Sequence, residues 1–224
     1  MTEPRYHHGN LRPALLDAGL ALARAGGPAR LQIRELAAAA GVSPAAVYRH
    51  FPDLAHLRAD VARLAREALA GEMLGAADAV PTTVAPPERA VRRFRAVGGA
   101  YLTFAAREPH LFETAFSAMD AEPSCPDAPS AWDVLRDALL ALVHTGAMAP
   151  DRLADAPIVA WSMVHGAASI VVRGLLPDAM SADEVRTAAL DGVLRALDID
   201  VLVQDETPPV VPAGAVPSAE APDH

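Results

Sequence analysis

Apolar residues return every three or four positions along most of this chain, which is the spacing of amphipathic helices. Leu11, Leu15, Ala18 and Leu22 share one face of a helix over Asn10 to Ala25, and Ile33, Leu36, Ala37 and Ala40 share one face of another. Gly41 follows that second run directly, where a left-handed residue closes a helix, and Ser43-Pro44 opens a third. The same spacing predicts helices over Pro44 to Phe51, Leu54 to about Ala79, Glu88 to Arg107, Pro109 to Met119, Ser130 to Thr145, Arg152 to Leu176 and Ala182 to Leu197. No convincing strand pattern remains, so the fold class is all-α with about nine helices. From Gln204 onward the chain is Pro-rich, acidic and nearly free of large apolar groups, which predicts disorder. The expected organisation is a head over residues 1–53, a larger helical domain over 54–203 and a tail over 204–224.

The stretch Ile33 to Phe51, IRELAAAAGVSPAAVYRHF, is two short helices joined by a glycine turn and ending in a polar-aromatic cluster. A helix-turn-helix reader of double-stranded DNA is built this way. Ser43 can cap the second helix with its hydroxyl, and Pro44 occupies the first helical position, where an amide hydrogen is not needed. In such a reader the start of the second helix meets base edges, while hydroxyl, imidazole and guanidinium groups hold the phosphate backbone. Ala45, Ala46 and Arg49 are then nearest the bases, and Tyr48 and His50 hold phosphate. The competing reading of the same residues is a surface helical hairpin whose Tyr48 and His50 merely cap a small core.

Charge distribution supports the DNA reading over the hairpin. The net charge is -9, yet residues 1–70 carry nine Arg against six acids (+3), and residues 71–224 carry ten Arg against twenty-two acids (-12). The basic end is the end with the motif, so one part of the molecule can face phosphates while the other is repelled by them. Enzyme classes find little: there is no Gly-rich phosphate loop, no GxSxG and no HExxH, and His7-His8 is not at metal-ligand spacing. Neither a metal nor a cofactor is expected. Cys125 is the single cysteine and no basic neighbour lowers its pKa, which suits a reducing, cytoplasmic setting. There is no secretory signal at the N-terminus, and the longest uncharged run, Ala156 to Val172, falls short of the roughly 20 residues that span a bilayer.

The run GVSPAAVYRHFPDLAHL, with an apolar helix before it and Leu57 to Leu74 after it, resembles the N-terminal domain of the TetR family of transcriptional repressors. Tyr6 to Arg12, together with Trp161-Ser162-Met163-Val164-His165-Gly166, is similar to the subgroup with a Trp-His-Gly type C-terminal domain. The resemblance covers nearly the whole chain and implies a repressor. Two positions depart from the family pattern: Gln32 stands where Ser or Thr usually caps the first helix of the motif, and Leu54 stands where a Lys is usual. Both usual groups touch phosphate, so affinity should be lower for every DNA sequence alike, with Arg34 or Arg5 compensating.

A helix-turn-helix pair must set the spacing of its two readers at about 34 to 36 Å, so a homodimer is expected. Val164, Ala168, Val171 and Leu175 on one C-terminal helix, with Trp161, and Val185, Ala189 and Val193 on the next, with Leu197, form the stripes from which a four-helix bundle interface is expected. The alternative is that these stripes complete a monomer core. Phe94, Tyr101, Phe104, Phe112, Phe116, Met119 and Trp132 concentrate between the linker helix and that pair, which suggests a cavity for a small apolar or amphipathic ligand. Trp161 and His165, one turn apart, complete it, and ordinary core packing is the competing reading. Against ligand-responsive repression stands a second function class, an architectural or partner-binding DNA-binding protein that senses nothing.

Overall fold

The computed structural model describes residues 11–117 and 129–199. Within them lie nine α-helices and two short 3-10 turns, with no strand. The expectations for Arg5, Tyr6, His7, His8, Met119, Cys125 and the tail lie outside the described residues.

The head consists of α1 (Leu11–Gly26), α2 (Ile33–Ala39) and α3 (Pro44–Tyr48), followed by the long α4 (Leu54–Asp78). Leu15, Leu31, Leu36, Val47 and Phe51 form its centre, and Leu57 and Val61 of α4 complete it, all at most 1% exposed. The same core runs on without a break through Leu69, Met73, Tyr101 and Leu111. At 25 residues, or about 37 Å, α4 is therefore a strut whose first turns belong to the head and whose later turns belong to the body.

The body comprises α5 (Pro86–Arg107), α6 (Pro109–Ser117), α7 (Ala131–His144), α8 (Ala156–Val172) and α9 (Ala182–Ala196). A second core around Phe94, Leu135, Leu139, Leu142, Val193 and Leu194 joins α5, α7 and α9. Capping boxes start two of these helices: Ser130 with Asp133 for α7 and Ser181 with Glu184 for α9.

Three helix ends differ from the periodicity. α3 stops at Tyr48 because the amides of His50 and Phe51 both turn back to the Val47 carbonyl, and Pro52 then disfavours helix before it. α8 starts at Ala156 rather than Arg152, because Pro157 is tolerated only in a first turn and Pro150–Ala154 forms a separate 3-10 turn. It ends at Val172 because Gly174 adopts φ 63° and the Leu175 amide closes onto the Ile170 carbonyl at 3.0 Å. No helix among the described residues is long and apolar enough to cross a membrane.

Candidate nucleic-acid interface and ligand cavity

Between α2 and α3 the chain turns at Gly41 with φ 67°, and the Val42 amide donates to the Ala37 carbonyl at 2.9 Å. This is the closure that a glycine makes inexpensive. Ser43 then accepts the Ala46 amide on its Oγ at 3.3 Å, the expected cap. With α3 so placed, Ser43, Pro44, Ala45, Tyr48 and Arg49 are exposed, Tyr48 at 55%. His50 is half-buried, and Arg34 is exposed on α2.

Ala46 departs from the expectation that it would lie nearest the bases. It is 6% exposed and faces inward beside Val47, because a five-residue helix must turn one side entirely to the head core. Gln32 does not cap α2 and instead donates to the Ala29 carbonyl at 3.2 Å. At the start of α4, Asp53 accepts the His56 amide and lies 2.9 Å from His56 Nδ1, and these bonds hold its carboxyl below the ordinary range.

Long-range polar contacts that periodicity could not reveal fix the head on its strut. Arg12 of α1 pairs with Asp60 of α4, which is 1% exposed, and its guanidinium lies 5.1 Å from the centre of the Phe51 ring. Arg58 donates to the Leu31 carbonyl at 3.2 Å.

In the body a cavity of about 30 Å³ opens between α4, α5, α7, α8 and α9. That is room for one or two waters. Phe94, Tyr101, Trp161 and His165, four of the sequence candidates, line it together with Met73, Val97, Gly98, Leu135, Ala160, Val164, Leu190 and Val193. The apolar members of this wall carry no signal in the sequence beyond ordinary helical spacing. Phe112 and Phe116 stand behind the wall, their ring centres 5.6 and 4.9 Å from His165, and Trp132 packs on Trp161 at 5.7 Å while remaining 40% exposed. Phe104 is buried elsewhere in the core, with Arg107 over its ring.

The polar centre of this cluster is a hydrogen bond of 2.7 Å between Tyr101 Oη and His165 Nδ1. Burial pushes the Tyr101 phenol well above its ordinary range. Burial first, and the charge of Arg173 second, push the His165 imidazolium below its own. Both groups are neutral at neutral pH. The His165 ring lies almost parallel to Trp161, at 7°.

α6 touches both regions. Its Phe112 and Phe116 pack against Tyr101 and His165, while the opposite side faces the head, where a Cβ placed on Gly27 would lie 3.5 Å from Glu113 Oε2. Arg24 of α1 reaches Glu108, just before α6, at 3.6 Å.

Residues 15–61 match the family model described as bacterial regulatory proteins, tetR family, and residues 94–197 match the tetracyclin repressor-like C-terminal domain. The chain belongs to the TetR family. Its motif and its helical body thus fall under models of one family, as the resemblance implied. A protein of unknown function from Rhodococcus sp. RHA1 is 30% identical, with a TM-score of 0.69 over 87% of this chain and 99% of its own. The TetR family regulator PfmR from Thermus thermophilus is 23% identical, with a TM-score of 0.52 over 81% of this chain and 97% of its own. AibR, solved in complex with isovaleryl coenzyme A and operator DNA, is 16% identical, with a TM-score of 0.54 over 85% of this chain and all, 100%, of its own. The last two similarities concern the TetR fold alone. Among curated proteins, none matches the chain.

Proposed function

We propose that this TetR family member is a ligand-responsive repressor that binds a palindromic operator as a homodimer, α3 entering the major groove. The observation that carries the reading is the joining of an exposed reading surface, Ser43 to Arg49, to a cavity-bearing body through a single 25-residue helix. A tilt of α4 caused at the cavity displaces the head, and recognition-helix spacing is what half-site binding depends on. AibR, with isovaleryl coenzyme A and operator DNA in one complex, is a precedent for the fold. The Trp161-to-Gly166 sequence supports the Trp-His-Gly subgroup.

The dimer face is best placed on the outer side of α8. Ala168 and Val193, expected there, are each 1% exposed within the monomer, and Val164 lines the cavity. Val171, Val185 and Ala189 are half-buried. What remains outward is Ile158, Ser162, Gly166 and Ile170, four residues apart along one side, with Leu175 beyond; Ile158, Ile170 and Leu175 are 56%, 42% and 64% exposed. A Cβ on Gly166 would meet nothing within 4 Å, so a second α8 can approach closely. The acidic body and basic head then align the two heads on one side.

Selection of bound fragments from a random DNA pool by the unliganded chain tests this. A palindrome with half-sites about one helical turn apart is expected. Fragments with no shared sequence would favour the architectural reading instead.

A further inference from the structure

We propose that the body cavity takes a small, uncharged ligand with a flat apolar body and one hydrogen-bond acceptor, held by the Tyr101–His165 pair. This rests on the ligand-responsive reading above and names the class of ligand.

The first argument is a proton count. A neutral phenol and a neutral imidazole together carry one O–H and one N–H. Their mutual bond of 2.7 Å uses one of these hydrogens. If Tyr101 donates, the hydrogen left over is on His165 Nε2; if His165 Nδ1 donates, it is the Tyr101 hydroxyl hydrogen. Either way the pair keeps one donor beyond its mutual bond. The indole of Trp161, on the same wall, is also a donor only. The wall thus holds two donors in either tautomer, and a ligand acceptor can bond to either of them.

The second argument is charge. No carboxylate, guanidinium or other ionised side chain lines the cavity. Arg173, whose charge reaches His165, is not part of the wall, so an anionic ligand would leave water with no countercharge in contact with it, and a cation would face no carboxylate. The wall otherwise consists of residues such as Met73, Phe94, Val97 and Leu135, so the rest of the ligand is hydrocarbon.

The third is shape. Trp161 and His165, stacked at 7°, form a flat wall, and the cavity of about 30 Å³ is narrow. Entry of a ring needs a side chain to give way. Met73 is the unbranched, adaptable member of the wall, and it stands on α4, the strut that carries the head.

The test is calorimetric titration of the full chain with acetophenone, ethylbenzene and benzoate, probes of similar size with a neutral acceptor, no polar group and an anionic group respectively. Acetophenone is expected to bind about fivefold more tightly than ethylbenzene, and benzoate more weakly than either. In the double variant Tyr101→Phe, His165→Phe, the preference for acetophenone should fall to within about twofold while ethylbenzene still binds. Should that variant not fold, the wild-type series still decides. Benzoate equal to acetophenone, acetophenone no better than ethylbenzene, or no binding of any probe at about 1 mM would each overturn the ligand class. The regulator reading is tested separately by DNA selection without ligand, so a chain that selects a palindrome yet fails here loses only the ligand class.

Discussion

Arg66 donates through Nη1 to the carbonyl oxygen of Ala115 at 2.6 Å, tying the middle of α4 to the last turn of α6. Because Phe112 and Phe116 of α6 pack against the Tyr101–His165 pair, the bond joins the cavity's surroundings to the strut under the head.

Replacing Arg66 with Met keeps most of the stem and removes the donor. The expected loss of stability is about 1 kcal/mol, read from the urea midpoint. The factor by which ligand and operator weaken each other should also shrink, since that coupling is reciprocal and passes through elements both sites bias. An unchanged factor would show that α6 carries none of it.

Tyr48 and Arg49 are adjacent and exposed, but their roles should separate. Tyr48→Ala is expected to weaken binding to operator and to random DNA alike. Arg49→Ala should relax preference at particular base pairs, at about 1 to 3 kcal/mol per lost contact. Competition titrations with both DNAs check this, and the opposite pattern would exchange the two assignments. Neither change should affect folding, because neither side chain is in the head core.

Gly166→Leu distinguishes fold from assembly. A side chain there meets open space in the monomer, and helix propensity favours Leu over Gly by up to about 1 kcal/mol. The monomer should keep its helical content while the dimer dissociates in sedimentation and operator affinity falls. A stable variant dimer would move the interface off the outer face of α8.

His165 predicts a pH dependence. Its folded-state pKa is lowered by burial and by Arg173, so as the pH falls the unfolded chain takes up the proton first. Its stabilising contribution is full above the unfolded value of about 6.5 and is lost as the pH falls through the folded-state value. Between about pH 7.5 and 5.5, the wild type should lose more stability than His165→Phe, measured as paired urea midpoints. Equal losses would show that this imidazole does not titrate differently on folding.

The helices, the glycine-closed turn and the Ser43 cap were legible in the residue order, because each depends on residues within one or two turns of one another. Gly41 at φ 67° and the Ser43 bond to Ala46 follow from local chemistry that needs no distant partner. The grouping of Phe94, Tyr101, Trp161 and His165 was legible in part, from the concentration of aromatic residues on neighbouring helices, although Phe104 of the same group is buried elsewhere. Which way each face turned was settled by the assembled helices. Ala46, Ala168 and Val193 point inward, while Ile158, Ser162, Gly166 and Ile170 point outward, on helices whose periodicity allowed either. α8 is apolar nearly all round, so spacing along it cannot say which side meets the body and which meets a partner. The ties between distant residues, Arg12 to Asp60, Arg66 to Ala115 and Tyr101 to His165, belong to the same class. They join residues 48, 49 and 64 positions apart, and only the packing of helices brings such pairs within bonding distance.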